Sequence, residues 1–178
     1  LSFFKKSTLY LHNRKLAKLN KFKKIKSSNS IKLIKNLNQI KKIKNLNLII
    51  NTTSIGFDMW MKEKNKFSNQ IFFSPLAKIK NLKYASKKNY ESFKRLNNKL
   101  INENNFEKKK ILLQNRKATI FDIIYSPKTT ILLKQSKLLN MRHLNGKFMN
   151  LMQAVEGFCI VNSFKFKNKI QKIMEKNG

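Results

Sequence analysis

Between Ala118 and Phe158 the hydrophobic positions change period repeatedly, and each change marks an element. Ile120, Phe121, Ile123 and Ile124 form a continuous apolar run, the pattern of a strand covered on both faces, and Pro127 ends it. Leu132, Leu133, Ser136 and Leu139 then share one face at helical spacing, with Thr129 or Thr130 as N-cap and Asn140 closing the segment. A brief Met-Arg-His-Leu extension follows. Gly146 next turns the chain into a second helix, whose expected buried stripe is Phe148, Leu151 or Met152, Val155, and Phe158 or Cys159. Strand, helix, short strand and helix in this order predict an αβ unit docked on a parallel sheet.

The first third repeats the alternation. A short strand at Leu9 to Leu11 ends at Asn13, a suitable N-cap for a helix with Leu16, Leu19, Phe22 and Ile25 on one face. Residues 31 to 45 place Leu33 or Ile34, Leu37, Ile40 and Ile43 on another helical face and predict a crossover helix. Leu46 to Ile50 then reads as a buried strand, ending in a polar turn closed by Gly56. Periodicity fades in residues 62–108, where helical spacing survives only weakly at Phe93, Leu96, Leu100 and Ile101. That stretch predicts a low-complexity insertion, solvated and partly disordered. Trp60 and Phe72-Phe73 are its candidates for covering an apolar rim. At 178 residues the chain has the length of one domain.

Charge changes the picture less than its size suggests. Forty Lys and Arg against eight Asp and Glu give +32 and an isoelectric point near 10.5, which would suit a polyanion. The excess is mostly Lys, is spread along the chain, and comes with Asn, Ile and Phe, residues of A- and T-rich codons. No RNA-binding string, helix-turn-helix or zinc-ligand spacing accompanies it. Composition thus accounts for the charge better than a nucleic-acid partner does, and a basic organellar or ribosomal RNA-binding protein is the alternative.

One cysteine, Cys159, excludes a disulfide framework and reads as a buried thiol. His12 and His143 lie in different elements with no neighbouring carboxylate or cysteine pattern, so no metal or nucleophilic site is expected. No apolar run approaches the roughly 18 residues of a membrane span, no signal-peptide pattern is present, and no membrane partner is expected. A first residue of Leu rather than Met points to a segment of a longer protein.

The string DIIYSPKTTILL, followed by a glycine and MNLMQA, resembles the C-terminal half of the shikimate dehydrogenase family. That family carries D-[IV]-V-Y-N-P-x-x-T-x-L-L and then G-x-x-M-L-x-x-Q-A. The matching residues are Asp122, Tyr125, Pro127, Thr130, Leu132, Leu133, Gly146, Met149, Gln153 and Ala154, with Ser126 and Asn150 as departures. Asn13-Arg14 resembles the family's N-R-[TS] element. Ile50, Asn51, Thr53, Ser54 and Gly56 resemble its I-N-A-T-[SP]-x-G-M, with Phe57 in place of Met.

The resemblance implies a Rossmann-like doubly wound parallel sheet, here without its first βα unit and Gly-rich turn. It also implies NADP as cofactor. Arg14, helped by Asn13 and Lys18, would meet the 2′-phosphate through the bidentate hydrogen bonds a guanidinium offers, and no acidic residue stands there to select NAD instead. Asn51, Thr53, Ser54 and Gly146 would border the cofactor, and Tyr125 and Gln153 would touch the ring substrate, shikimate or 3-dehydroshikimate. The family's catalytic Lys and Asp belong to an N-terminal substrate domain, the implied partner, so no catalytic residue is expected in these 178. Asp122 would be structural, fixing the loop after its strand, since an isolated buried carboxylate is costly. A catalytically inactive relative is a further alternative. A cytoplasmic and a plastid-like location fit equally well.

Overall fold

The computed structural model describes residues 7–13, 15, 17, 30–163 and 165–177. Among these residues seven strands and six helices follow one another: β1 (Thr8–His12), β2 (Ser30–Ile34), α1 (Leu37–Ile40), β3 (Leu48–Asn51), β4 (Trp60–Glu63), β5 (Lys66–Asn69), α2 (Tyr90–Leu96), α3 (Asn98–Gln114), β6 (Thr119–Asp122), α4 (Ile131–Leu138), β7 (His143–Asn145), α5 (Lys147–Val161) and α6 (Lys167–Asn177). β1 and β2 pair in parallel, β3, β6 and β7 form a second parallel sheet in that order, and β4 and β5 form an antiparallel hairpin. The architecture is a Rossmann-like α/β fold. A doubly wound sheet of order 3-2-1-4-5-6 sets its first strand between strands 2 and 4. The two parallel groups correspond to its flanks, and among the described residues no strand joins β1 to β3.

Local signals account for the last third. Thr130 caps α4, its hydroxyl accepting from the Leu133 backbone N at 3.3 Å. Asn140, with φ 53°, closes the helix in the left-handed region that Asn tolerates better than most residues. α3 and α4 both cover one face of the three-stranded sheet, where Ile111, Leu112, Leu132 and Leu133 pack on Ile49 and Ile120. The other face is only half covered. Strand register aligns Ile50, Phe121 and Leu144 in a row across β3, β6 and β7, and Ile50 and Leu144 are exposed. The expectation that the β6 run is covered on both faces therefore holds for one face among the described residues.

Three other expectations are corrected. Residues 31–45 do not form a crossover helix. Ile31 and Leu33 alternate with Lys32 in a strand paired to β1, and Asn36 and Gln39 then build a capping box that starts only a short helix. In α5, Val155 and Cys159 are buried against Ile170 of α6 as the stripe predicts, with Cys159 rather than Phe158 the buried alternative, but Phe148 is exposed. Of the predicted helix at Leu16 to Ile25, all but Ala17 lies outside the described residues.

The third correction is the largest: residues 62–108 are folded. The β4–β5 hairpin and α2 bring Phe73, Ala85, Phe93 and Ile101 into a buried cluster, with Trp60 edge-on to Phe93 at 5.8 Å between ring centres. Asparagine supplies the fasteners. Asn97 bonds the Lys83 backbone N and O, Asn104 bonds those of Ser74, and Asn115 bonds Leu46 N and Ile43 O, all between 2.8 and 3.3 Å. Each amide satisfies a loop's backbone groups as a neighbouring strand would, which meets the requirement that buried polar groups be paired. The buried stripe of α3 thus reads Ile101, Asn104, Lys108, Ile111. With polar residues on the core face, hydrophobic periodicity could not reveal it.

Lys108 stands in that stripe at a cost. Its Nζ donates to Asn105 Oδ1 at 3.0 Å and to Ile131 O at 3.4 Å, and burial lowers its pKa from 10.5 to about 8. A lowered folded pKa means that the native state opposes the charge. The cost is fully present below pH 8 and fades as pH rises towards 10.5. A displacement of this size is worth on the order of 3 kcal/mol at most. We expect Lys108→Met to raise stability at pH 7 by ~1–3 kcal/mol. Denaturant unfolding at pH 7 and near pH 10 checks this, because the wild-type protein should close the gap at the higher pH.

Candidate functional site at the carboxyl ends of two parallel strands

β3 and β6 end side by side, Asn51 opposite Asp122. In open α/β sheets this edge is where ligands bind. Asp122 is wholly buried and receives three hydrogen bonds: from Asn51 Nδ2 at 2.9 Å, from Thr130 Oγ1 at 2.7 Å and from Ile124 N at 3.2 Å. Burial pushes its carboxyl above the ordinary value, and the bonds from Thr130, Ile124 and Asn51 pull against that. The carboxylate thereby locks the β3 loop, the β6 loop and the start of α4 together. It is the structural anchor that an Asp inside an apolar strand implied.

The β3 loop is wound on Asn51. The backbone N and hydroxyl of Thr53 both donate to Asn51 Oδ1, at 2.9 and 2.8 Å, and Ile55 N donates to Thr53 Oγ1 at 3.2 Å. Gly56 turns the loop with φ 102°, a conformation that side-chain-bearing residues rarely adopt. Ser54 remains exposed at the apex. Asn51, an expected cofactor neighbour, spends its side chain inside this network and holds the loop in shape.

Beyond β6, Tyr125 is 48% exposed and its ring lies 6.5 Å from that of Phe57, across from the β3 loop. Gly146 N donates to Ile124 O at 3.2 Å, and an added Cβ at Gly146 would fall 1.8 Å from Ile123 O. Only a glycine lets α5 begin against this strand end. Gln153 lies exposed on α5, two turns into the helix. Near the start, Asn13 Oδ1 accepts from Lys15 N at 2.8 Å, the local bond of a capping residue. Arg14 and Lys18 lie outside the described residues. The structure thus brings Asn51, Thr53, Ser54, Tyr125 and Gly146 to one sheet edge.

Sequence reasoning missed Thr130 as a partner of Asp122. The signal was present, a helix-capping threonine eight residues after a carboxylate in an apolar strand. Close to the edge, Ser54, Phe57, Met59, Met61 and Gln70 line a cleft of only about 10 Å³. One of about 180 Å³ between α1 and α3, lined by Lys41, Lys78, Glu103 and Glu107 among others, contains none of the residues above. The strand-end edge is the stronger candidate because polar groups from separate segments converge on it. Among the described residues no cluster of His, Cys, Asp and Glu could hold a metal ion.

The fold and this edge define a Rossmann-like α/β domain. Among solved structures it is similar to shikimate dehydrogenase 1 from Peptoclostridium difficile, with a TM-score of 0.50 and 18% sequence identity over 96% of this chain. The chain spans 43% of that enzyme's length. At such identity the likeness is one of fold. No family model and no curated protein sequence matches the chain.

Proposed function

We infer that this chain is the NADP-binding, C-terminal domain of a divergent shikimate dehydrogenase-like protein, and that the first βα unit and the substrate domain lie outside residues 1–178. One observation carries the reading: the family-like motifs around Asn51, Asp122 and Gly146 meet at one sheet edge, the first two through the Asn51–Asp122–Thr130 network and the third through the Gly146 N to Ile124 O bond. The implied reaction is reversible reduction of 3-dehydroshikimate to shikimate, within chorismate and aromatic amino acid biosynthesis. The cofactor would supply the hydride and the protein would orient it.

The residues present fit that group. The 51–56 loop is held rigid from within, so its outer surface and Ser54 can lie against a nucleotide without being reorganised. Tyr125 and Gln153 would bind the ring substrate, and Arg14, with Asn13 and Lys18, the 2′-phosphate. The proton on the substrate hydroxyl would be handled by the other domain, so this segment alone is not expected to turn over.

The test is shikimate-dependent NADP reduction by the longer product. Gln153→Ala should lower kcat/KM by about ten-fold or more, and Arg14→Ala should shrink the preference for NADP over NAD by a similar factor. A folded product inactive with both shikimate and quinate would overturn the enzyme reading and leave the inactive relative. RNA affinity that falls steeply with salt, with no preference for NADPH, would point to the RNA-binding alternative.

A further inference from the structure

The parallel strands β3, β6 and β7 end in one row of polar residues, Asn51 opposite Asp122 and Asp122 opposite Asn145. Each closes its strand with the same local bond, its Oδ1 accepting from the backbone N two residues on: Thr53 N at 2.9 Å, Ile124 N at 3.2 Å and Lys147 N at 3.1 Å. These are Asx turns, in which a short polar side chain replaces the next ladder bond. What differs is the group each has left over. Asn51 spends its amide N on Asp122, and Asp122 its second oxygen on Thr130. Asn145 spends its Nδ2 on Lys128 O at 3.0 Å, 17 residues back along the chain.

Lys128 lies in the loop that carries Tyr125, and Lys147 in the first turn of α5, the helix that carries Gln153. One amide therefore grips both elements, its oxygen facing the helix and its nitrogen the loop. We propose that Asn145 is a positioning residue for the substrate side of this edge, a role that rests on the dehydrogenase reading for its ligand: it fixes Tyr125 and Gln153 relative to one another. The 51–56 loop on the cofactor side is wound on Asn51 instead. Tyr125 and Gln153 both stand exposed, so their spacing follows the backbone that carries them. A second tie, from Gly146 N to Ile124 O at 3.2 Å, is made by backbone and survives any change at position 145. Substituting Asn145 thus isolates the share of its side chain.

The test uses the longer product and two variants. Asn145→Asp keeps the acceptor for Lys147 N and loses the donor to Lys128 O, whereas Asn145→Ala loses both. Asn145 is only half-buried, so both variants should fold, and circular dichroism and unfolding midpoints verify that. We expect backbone amide NMR order parameters in residues 125–130 to fall by about 0.1 or more in both variants, and those at the start of α5 to fall in Asn145→Ala alone. In shikimate-dependent NADP reduction, KM for shikimate should rise about three- to ten-fold in both, with kcat within about two-fold and a much smaller change in KM for NADP. A merely structural residue would move both KM values together or neither. Unchanged order parameters in residues 125–130 would overturn the coupling, whatever the activity. A looser loop with KM for shikimate unaltered, or with both KM values raised equally, would overturn the assignment to the substrate side. A folded wild-type product inactive with shikimate and quinate would overturn the dehydrogenase reading, and the order parameters would still decide whether Asn145 joins loop to helix.

Discussion

Replacing Gly146 by alanine is expected to be the most damaging small substitution in the chain. The new methyl would lie 1.8 Å from Ile123 O and 2.4 Å from its carbonyl carbon, both backbone atoms, so no side chain can move aside. Relief requires separating the start of α5 from the end of β6, breaking the Gly146 N to Ile124 O bond at 3.2 Å. A forced backbone shift of this kind belongs to the severe end of point-mutant effects, above about 3 kcal/mol. Thermal unfolding of Gly146→Ala should show a midpoint lower by ten degrees or more, on the order expected for a domain of this size. Gly157→Ala is the control. Nothing lies within 4 Å of its added Cβ, and in mid-helix the change should be neutral or slightly stabilising. Equal effects at the two glycines would show that helix propensity, rather than close approach, governs Gly146.

Asp122→Ala should cost about 3–5 kcal/mol, because it strands the Asn51 amide, the Thr130 hydroxyl and Ile124 N without their acceptor in a dry interior. Asp122→Asn should cost only about 1–2 kcal/mol, since the amide oxygen still accepts from Asn51 and Ile124 while its NH₂ can donate to Thr130 Oγ1. The ranking separates loss of the network from loss of charge. It also has a pH signature. Burial raises the folded carboxyl's pKa above its unfolded value, so the native state takes up the proton first, and wild-type stability relative to Asp122→Asn should increase as pH falls towards 3.8. Chemical unfolding of the three proteins between neutral pH and pH 4 measures both effects. A wild-type advantage that grows as pH rises would mean that the hydrogen bonds to the charged form outweigh its burial.

Where structure followed short-range chemistry, the sequence was legible. Thr130 and Asn140 act as cap and stop within a few residues of their own position, and these roles, like the turn at Gly146, are visible in the string, whereas the approach of Gly146 to Ile123 is not. The strand-helix-strand order from Thr119 to Asn145 follows from two periodicities that one segment can display unaided. Strand and helix were confused at Ile31 to Ile34 because a few apolar residues fit either period, and pairing with β1 decided between them.

Long-range pairing was not legible. Asn97, Asn104 and Asn115 look like solvated surface in a Lys- and Asn-rich stretch until the loops they bond, between 14 and 72 residues away, are placed beside them. Phe148 looks like core until α6 covers only the side of α5 that carries Val155 and Cys159. The sequence by itself determined the element types from Thr119 to Val161, the caps that bound them and the residues gathered at the strand ends, because those depend on backbone preferences and local bonds. Only the tertiary structure decided which polar groups are buried, that residues 62–108 fold, and which apolar faces stay open, because a side chain's burial depends on partners that its own neighbourhood does not encode.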